Sequence, residues 1–511
     1  MFLRGSFLWF RKMSKYQGFF YIFLLILFGK VSGFLKDVLI TFYQGVSIVT
    51  DAYFLSSSIS SILHAAIYSS IPILVVPLYS RLLVSSSGVE VNRALSAAAS
   101  FFFFLSVCIA FFVFGAGNWL VDLFSGSIND QVKELTASYL SIMAVTFALS
   151  TLVSFFNSMQ TVNKVVIPSY VVPIVNNLVF CTGLYFFSSV GDFYKILMLG
   201  ILAWLILLII NYLISRKSFS FQPASAFAFF SDRKFILLFL PAAFAFYIEQ
   251  LNAFVGIYFA SELGVGAISV FAYSNKLSMV FLSVFLVFLT ASLFPRIAAV
   301  SARNDEAELF RYLTGCIRLV VMCSIPVVIY MSFYSVEIVR LLFQRGNFMS
   351  DDVVKVASVF SVVLLALPFC LVRDIMNRVF FSYGNTLTPV LLSLVALSIN
   401  FSLSYGLYQQ YGLVGLAASA VVSIVFNSLV VIFLVQRKIK YDLFVSCLSI
   451  LALCGTCGAI AYLSLSWLHG SFPNYWLALF VPFSIVYFIC LLIFRIKEAQ
   501  FLADLLRRRL A

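Results

Sequence analysis

Charged side chains sit where an apolar chain should carry none. In the apolar run 17–43, Lys30, Gly33 and Asp37 fall at i, i+3 and i+7, one helical face, with Lys36 beside them. Gly33 after Ser32 reads as a bend. The next run opens with Asp51 and carries Ser57, Ser60, Ser61, His64 and Tyr68 on one stripe, and the run 266–294 carries Ser269, Tyr273, Lys276 and Ser283. An ion in the hydrocarbon region costs several kcal/mol, so each needs a partner or a water-filled cavity. Lys30 and Lys36 either pair with Asp37 or snorkel to an interface. Lys276 has no carboxylate within one turn of its own helix, so local pairing does not account for it. His64 is either a hydrogen-bonded bundle histidine or a member of the stripe's site. Several cations around one cavity make a site for an anion, most simply a phosphate or diphosphate. Lys30, Lys36 and Lys276 would face it, with Asp51 and His64 shaping its walls.

Other polar groups in apolar runs point elsewhere. Glu249, Gln250 and Asn252, with Asn400, form either a sodium or proton site or a hydrogen-bonded contact between helices. Arg373, Asp374 and Arg378 read as an ion-paired structural cluster. Cys454-Gly-Thr-Cys457 has redox or zinc spacing but lacks a nearby His or acidic partner, and the nine cysteines imply neither a disulfide framework nor a metal site. No G-x-x-x-x-G-K-[ST] occurs and no Ser/His/Asp constellation is visible, so ATP hydrolysis and enzyme chemistry are not expected. A transporter without a bound cofactor is the expectation, driven by membrane potential, sodium or protons.

The elements that must position these residues follow from composition. Of the 511 residues 63% are hydrophobic and 10% charged, with mean hydropathy +1.06. A soluble chain carries about 25% charged residues. The expected fold is therefore an all-α polytopic membrane protein. Fourteen runs reach the roughly 20 residues a span needs: 17–43, 52–80, 95–124, 134–160, 165–189, 193–215, 235–260, 266–294, 312–342, 354–382, 387–408, 412–436, 444–466 and 474–494. The net charge of +13 is topological information, not a nucleic-acid footprint: 22 Lys and Arg fall in segments on one side and five on the other. That asymmetry places both termini in the cytoplasm. A weak repeat relates Pro77 to Pro295, Gly45 to Gly264 and Pro168 to Pro389, offset by 218, 219 and 221 residues. It divides the chain into a lobe over 1–215, a cytoplasmic linker over 216–234, a second lobe over 235–436, and two extra helices with a basic tail over 437–511. A two-lobed repeat puts a substrate at the midplane.

Three stretches carry a family resemblance. They are Gly33-Phe34-Leu35-Lys36-Asp37 with Thr50-Asp51-Ala52-Tyr53-Phe54; Leu342-Phe343-Gln344-Arg345-Gly346-Asn347-Phe348; and Phe380-Phe381-Ser382-Tyr383-Gly384-Asn385-Thr386 into Thr388-Pro389, with Tyr411 to Ala417 downstream. In order and spacing they resemble the MurJ (MviN) family of lipid II flippases, of the multidrug/oligosaccharidyl-lipid/polysaccharide exporter superfamily. The resemblance implies a bacterial inner-membrane flippase for undecaprenyl-diphosphate-linked peptidoglycan precursor, acting by alternating access in cell-wall biogenesis. The alternatives are a flippase for another polyprenyl-linked glycan, such as an exopolysaccharide or O-antigen unit, and a cation-coupled drug antiporter, which would need an acidic cavity. Its partners would be the lipid-linked glycan, membrane lipids and cell-wall synthesis proteins. The family's cavity arginines fall on Lys30, Lys36, His64 and Lys276, its helix-2 aspartate on Asp51, and the acidic residue after the eighth-helix arginine on Met279. Its last two helices hold the lipid tail. Lysine keeps the charge of arginine but loses the bidentate fork.

Overall fold

The computed structural model describes residues 15–188, 192–222, 233–292, 294–301, 303, 305–439, 441–471 and 473–494. Every regular element among them is a helix. In chain order the longer ones are α1 (Lys15–Gln44), α2 (Ile48–Ser85), α3 (Gly88–Phe124), α4 (Asp130–Val162), α5 (Ile167–Phe186), α6 (Phe193–Ser215), α7 (Arg233–Ser261), α8 (Ala267–Ser292), α9 (Glu306–Phe333) and α10 (Ser350–Ser382), with short helices at Phe294–Ser301 and Ser335–Phe343. Leu387–Ile439 is one helical run broken at Gly412, where φ is 55° and ψ −138°. Its halves are α11 (387–411) and α12 (413–439). They reverse direction at the glycine, because Ser423 Oγ donates to the Ala396 carbonyl at 2.6 Å. Then come α13 (Leu443–Ser471) and α14 (Phe480–Ile493). Each of the fourteen expected runs thus contains helix, and among the described residues eleven helical stretches, with Leu387–Ile439 counted once, are long and apolar enough to cross a membrane.

Local sequence sets the starts. Ser47 and Thr50 form a reciprocal capping box at the head of α2, and Ser87 with Glu90 does the same for α3. Pro168 occupies the first turn of α5, where its missing N–H costs nothing.

The chain forms two compact units. The first comprises residues up to 269 together with 343–349. Its core packs Ile71, Leu74 and Leu78 of α2 on Leu95 and Phe102 of α3 and on Phe155 and Met159 of α4. Phe219, just beyond α6, inserts into the same core. The rest of the expected linker, 223–232, and the basic tail 495–511 lie outside the described residues.

The second unit takes 270–342 and everything from 350 onward. Lipid tails are as apolar as leucine, so packing and polar contacts must hold such helices together. Ser274 Oγ donates to the Val356 carbonyl and Ser428 Oγ to that of Phe369. Gly458 of α13 packs directly against Ile329 and Ile325 of α9. Tyr330 of α9 contacts Phe480 and Phe483, so α14 is seated on an aromatic surface.

Candidate functional site

The corner between α1 and α2 is built from residues far apart in sequence. Asp51 is 1% exposed, and its carboxylate accepts from the backbone N–H groups of Gly266 and Ser269, the latter at 2.8 Å, and from Ser269 Oγ. Ser269 Oγ also lies 2.7 Å from Thr50 Oγ1. The first turn of α8 leaves its N–H groups unpaired and carries the positive end of the helix dipole, so an anion there is stabilised twice over. Asp51 is therefore a cap supplied to α8 from another helix. The same corner receives residues 343–349: Asn347 N–H donates to the Phe42 carbonyl at 2.9 Å and Asn347 Nδ2 to that of Tyr43 at 2.6 Å. Gly45 and Gly346 both adopt positive φ, at 56° and 59°. A Cβ on Gly45 would strike the Asn347 carbonyl, and one on Gly346 the Phe42 carbonyl. Nearby, Gly126 and Ser127 donate their N–H groups to Ser261 Oγ and Glu262 Oε1, at 2.9 and 3.1 Å.

Below this corner Lys36 lines a cavity of about 160 Å³ with Tyr53, Thr146, Asn176, Asn177 and Trp204. Its ammonium lies 5.5 Å from the centroid of the Phe180 ring, within cation–π range. Gly33 lies within α1, which is helical throughout 15–44. It admits α5: Asn177 Nδ2 would lie 3.3 Å from a Cβ there, and donates to Ser32 Oγ at 3.2 Å. The cavity thus combines one permanent cation with neutral amides and hydroxyls, a lining suited to an anionic group.

His64 lies in a single π-helical turn, Ser61–Ala65, that interrupts α2. Its Nε2 is 2.9 Å from Thr151 Oγ1, which in turn is 2.6 Å from Ser106 Oγ. Its ring stacks on Phe147 at 4.6 Å, interplanar angle 3°. His64 is 7% exposed, so it joins α2, α3 and α4 within the bundle. His64→Ala removes the stack and leaves Thr151 short of a partner, a loss of roughly 2–4 kcal/mol. The melting midpoint of the purified protein is expected to fall by several degrees; an unchanged midpoint would show that the stack contributes nothing.

The family model described as lipid II flippase MurJ matches residues 40–487. The chain belongs to the MurJ family. A protein of Aquifex aeolicus (strain VF5), named probable lipid II flippase MurJ, is 24% identical over 486 residues, covering 92% of this chain and 93% of its own length. One of the same name from Treponema pallidum (strain Nichols) is 23% identical over 412 residues, covering 78% and 77%. A solved lipid II flippase MurJ in an inward closed conformation superimposes with TM-score 0.79 at 20% identity, over 95% of this chain and all of that one. A multidrug resistance MATE transporter of the MOP superfamily, inward-facing, gives 0.67 at 12% identity, over 81% and 94%. At these identities the two structures speak to the fold alone. The MurJ family is one of transporters, not of catalytic enzymes.

The remaining residues that the MurJ resemblance or the sequence singled out are more dispersed. Lys30 is exposed on α1 and is not among the residues lining the Lys36 cavity. Lys276 is half-buried on α8, in the second unit. Glu249 is exposed on α7 and Asn252 half-buried, both in the first unit. Asn400 is buried in α11 of the second unit, its Oδ1 3.4 Å from Ser404 Oγ. Arg373 donates to Asp374 Oδ1 at 3.0 Å, an ion pair between chain neighbours. Among the described residues no group of three or more His, Cys, Asp or Glu is placed to share a metal. Sequence reasoning missed Asn176 and Asn177, an amide pair inside an apolar run that was signal enough, and Gly266, whose backbone donor role has no sequence mark.

Proposed function

We propose that this MurJ-family chain carries lipid II, the polyprenyl-diphosphate-linked peptidoglycan precursor, from the inner to the outer leaflet of the bacterial cytoplasmic membrane by alternating access, with both termini cytoplasmic. Family membership supplies the substrate class, and the Lys36 ammonium in a polar cavity carries the reading. A diphosphate brings two charges into low dielectric and needs cations and donors to replace its water. Lys36 supplies charge, with Asn176, Asn177 and Thr146 as donors, and His64 holds the wall. Asp51 takes part by holding α8 at the outer corner, which must let go for the headgroup to leave. The polyprenyl tail stays in lipid along α13 and α14, where Val445, Leu448, Ile485 and Ile489 are exposed. Cell-wall synthesis proteins consume the product outside. Glu249, Asn252 and Asn400 serve the coupling ion, sodium or a proton, and the inward-negative potential resets the carrier. Expression in cells depleted of their own lipid II flippase tests the reading. Restored growth and outer-leaflet lipid II are expected; normal membrane levels without rescue would overturn it.

A further inference from the structure

The middle of α2 leaves part of its backbone bonding to a neighbour. Pro72 lies inside the helix, within two turns of the π-helical stretch at Ser61–Ala65. Proline has no N–H, so the carbonyl four residues earlier, that of Tyr68, loses its partner within the helix. Ser154 of α4 replaces it: its Oγ donates to the Tyr68 carbonyl at 2.9 Å. Ser154 is 3% exposed, whereas Pro72 is exposed. A hydroxyl from an adjacent helix lets a membrane-spanning helix keep a proline, since an unmatched carbonyl in hydrocarbon is costly. One turn before Ser154, Thr151 Oγ1 meets His64 Nε2. Two hydroxyls on one face of α4 thus grip consecutive turns of α2.

The turn held by Ser154 carries the Tyr68 side chain, whose ring meets Trp204 of α6 edge to face, centroids 6.3 Å apart at 72°. Trp204 also packs against Val153, Val172 and Leu207, and it lines the Lys36 cavity. Tyr68 is not among the lining residues, so its influence on the cavity passes through Trp204. Without the Ser154 hydroxyl the Tyr68 carbonyl must turn toward another donor, and the ring moves with its backbone. With the Lys36 cavity read as the headgroup site, on which this assignment rests, we propose that Ser154 is a positioning residue for substrate binding. It fixes the Tyr68 turn of α2, and Tyr68 in turn sets Trp204 in the cavity wall. Pro72 gains a role as well, because it hands control of this turn from α2 to α4.

Pro72→Ala provides the test, because it returns an N–H to the Tyr68 carbonyl and makes Ser154 dispensable. In full-length protein labelled with fluorotryptophan and purified in detergent, the fluorine NMR line of Trp204, assigned by its loss in Trp204→Phe, reports the wall without substrate. Ser154→Ala is expected to shift or split that line and to weaken lipid II binding about threefold to tenfold, the range for one hydrogen bond. The double variant Pro72→Ala/Ser154→Ala should restore the line and return the affinity to within about twofold of wild type. A role for Ser154 in packing alone would not be repaired from position 72. If Ser154→Ala does not accumulate, recovery of folded protein in the double variant is the expected result. An unmoved Trp204 line in Ser154→Ala, or a double variant as impaired as Ser154→Ala, would overturn the proposal. Wild type that binds no lipid II would sink the headgroup reading instead, and the Trp204 line would still decide whether Ser154 sets the wall.

Discussion

Replacing Lys36 by alanine is expected to abolish transport while leaving the protein in the membrane at a normal level. The head of Lys36 faces a cavity and the Phe180 ring, so little packing is lost with it. The substrate, in contrast, loses a charge-assisted contact in a low-dielectric site, worth about 1.5–3 kcal/mol, or roughly tenfold to hundredfold in affinity. Lys36→Arg should retain activity, because it restores the charge and adds a fork that fits two phosphate oxygens. Rescue of flippase-depleted cells by the two variants, with immunoblotted membrane levels, checks this. Normal rescue by Lys36→Ala would remove Lys36 from the substrate's path.

Asp51→Asn is expected to be almost as severe by a different route. The substitution keeps the size of the side chain but turns one acceptor into a donor, set against the N–H groups of Gly266 and Ser269. Hydrogen bonds to a charged acceptor are worth about 1.5–3 kcal/mol, so the population in which the α1–α2 corner is held should fall roughly tenfold to hundredfold. Val49 lies two residues away and is 4% exposed. A cysteine at position 49, in a background without the native cysteines, should react with a membrane-impermeant maleimide from outside at least about tenfold faster when Asp51→Asn is also present. Equal rates would show that Asp51 does not hold the corner.

Legibility in the sequence followed physical range. The helices were legible because each spans the bilayer by itself: a run of apolar residues suffices, and polar or Gly/Pro punctuation marks its ends. Gly412 is instructive, since the sequence marks a boundary there and the backbone reverses with no intervening loop. Lys36 was legible because charge in an apolar run requires a reason. Asp51 stood out on the same ground, but its acceptor role did not, because two of its three donors are backbone N–H groups 215 and 218 residues away. Backbone donors leave no trace in residue identity. Gly33 was ambiguous for a related reason: bending and close approach both call for glycine, and the approach of Asn177 shows only in the structure.

The interlock of Gly45 with Gly346 has a consequence for how the protein is made. The two glycines are separated by about 300 residues, so at a synthesis rate of about 5–20 residues per second the first waits roughly 15–60 s for the second to leave the ribosome. Throughout that interval the α1–α2 corner has neither the Asn347 carbonyl against it nor Asn347 donating to Phe42 and Tyr43. The first six helices must therefore insert and pack as a self-sufficient bundle, and the α1–α2 corner is among the last places to acquire its native contacts. A nascent chain stalled before residue 343 would carry the complete Lys36 cavity beneath an unfinished roof.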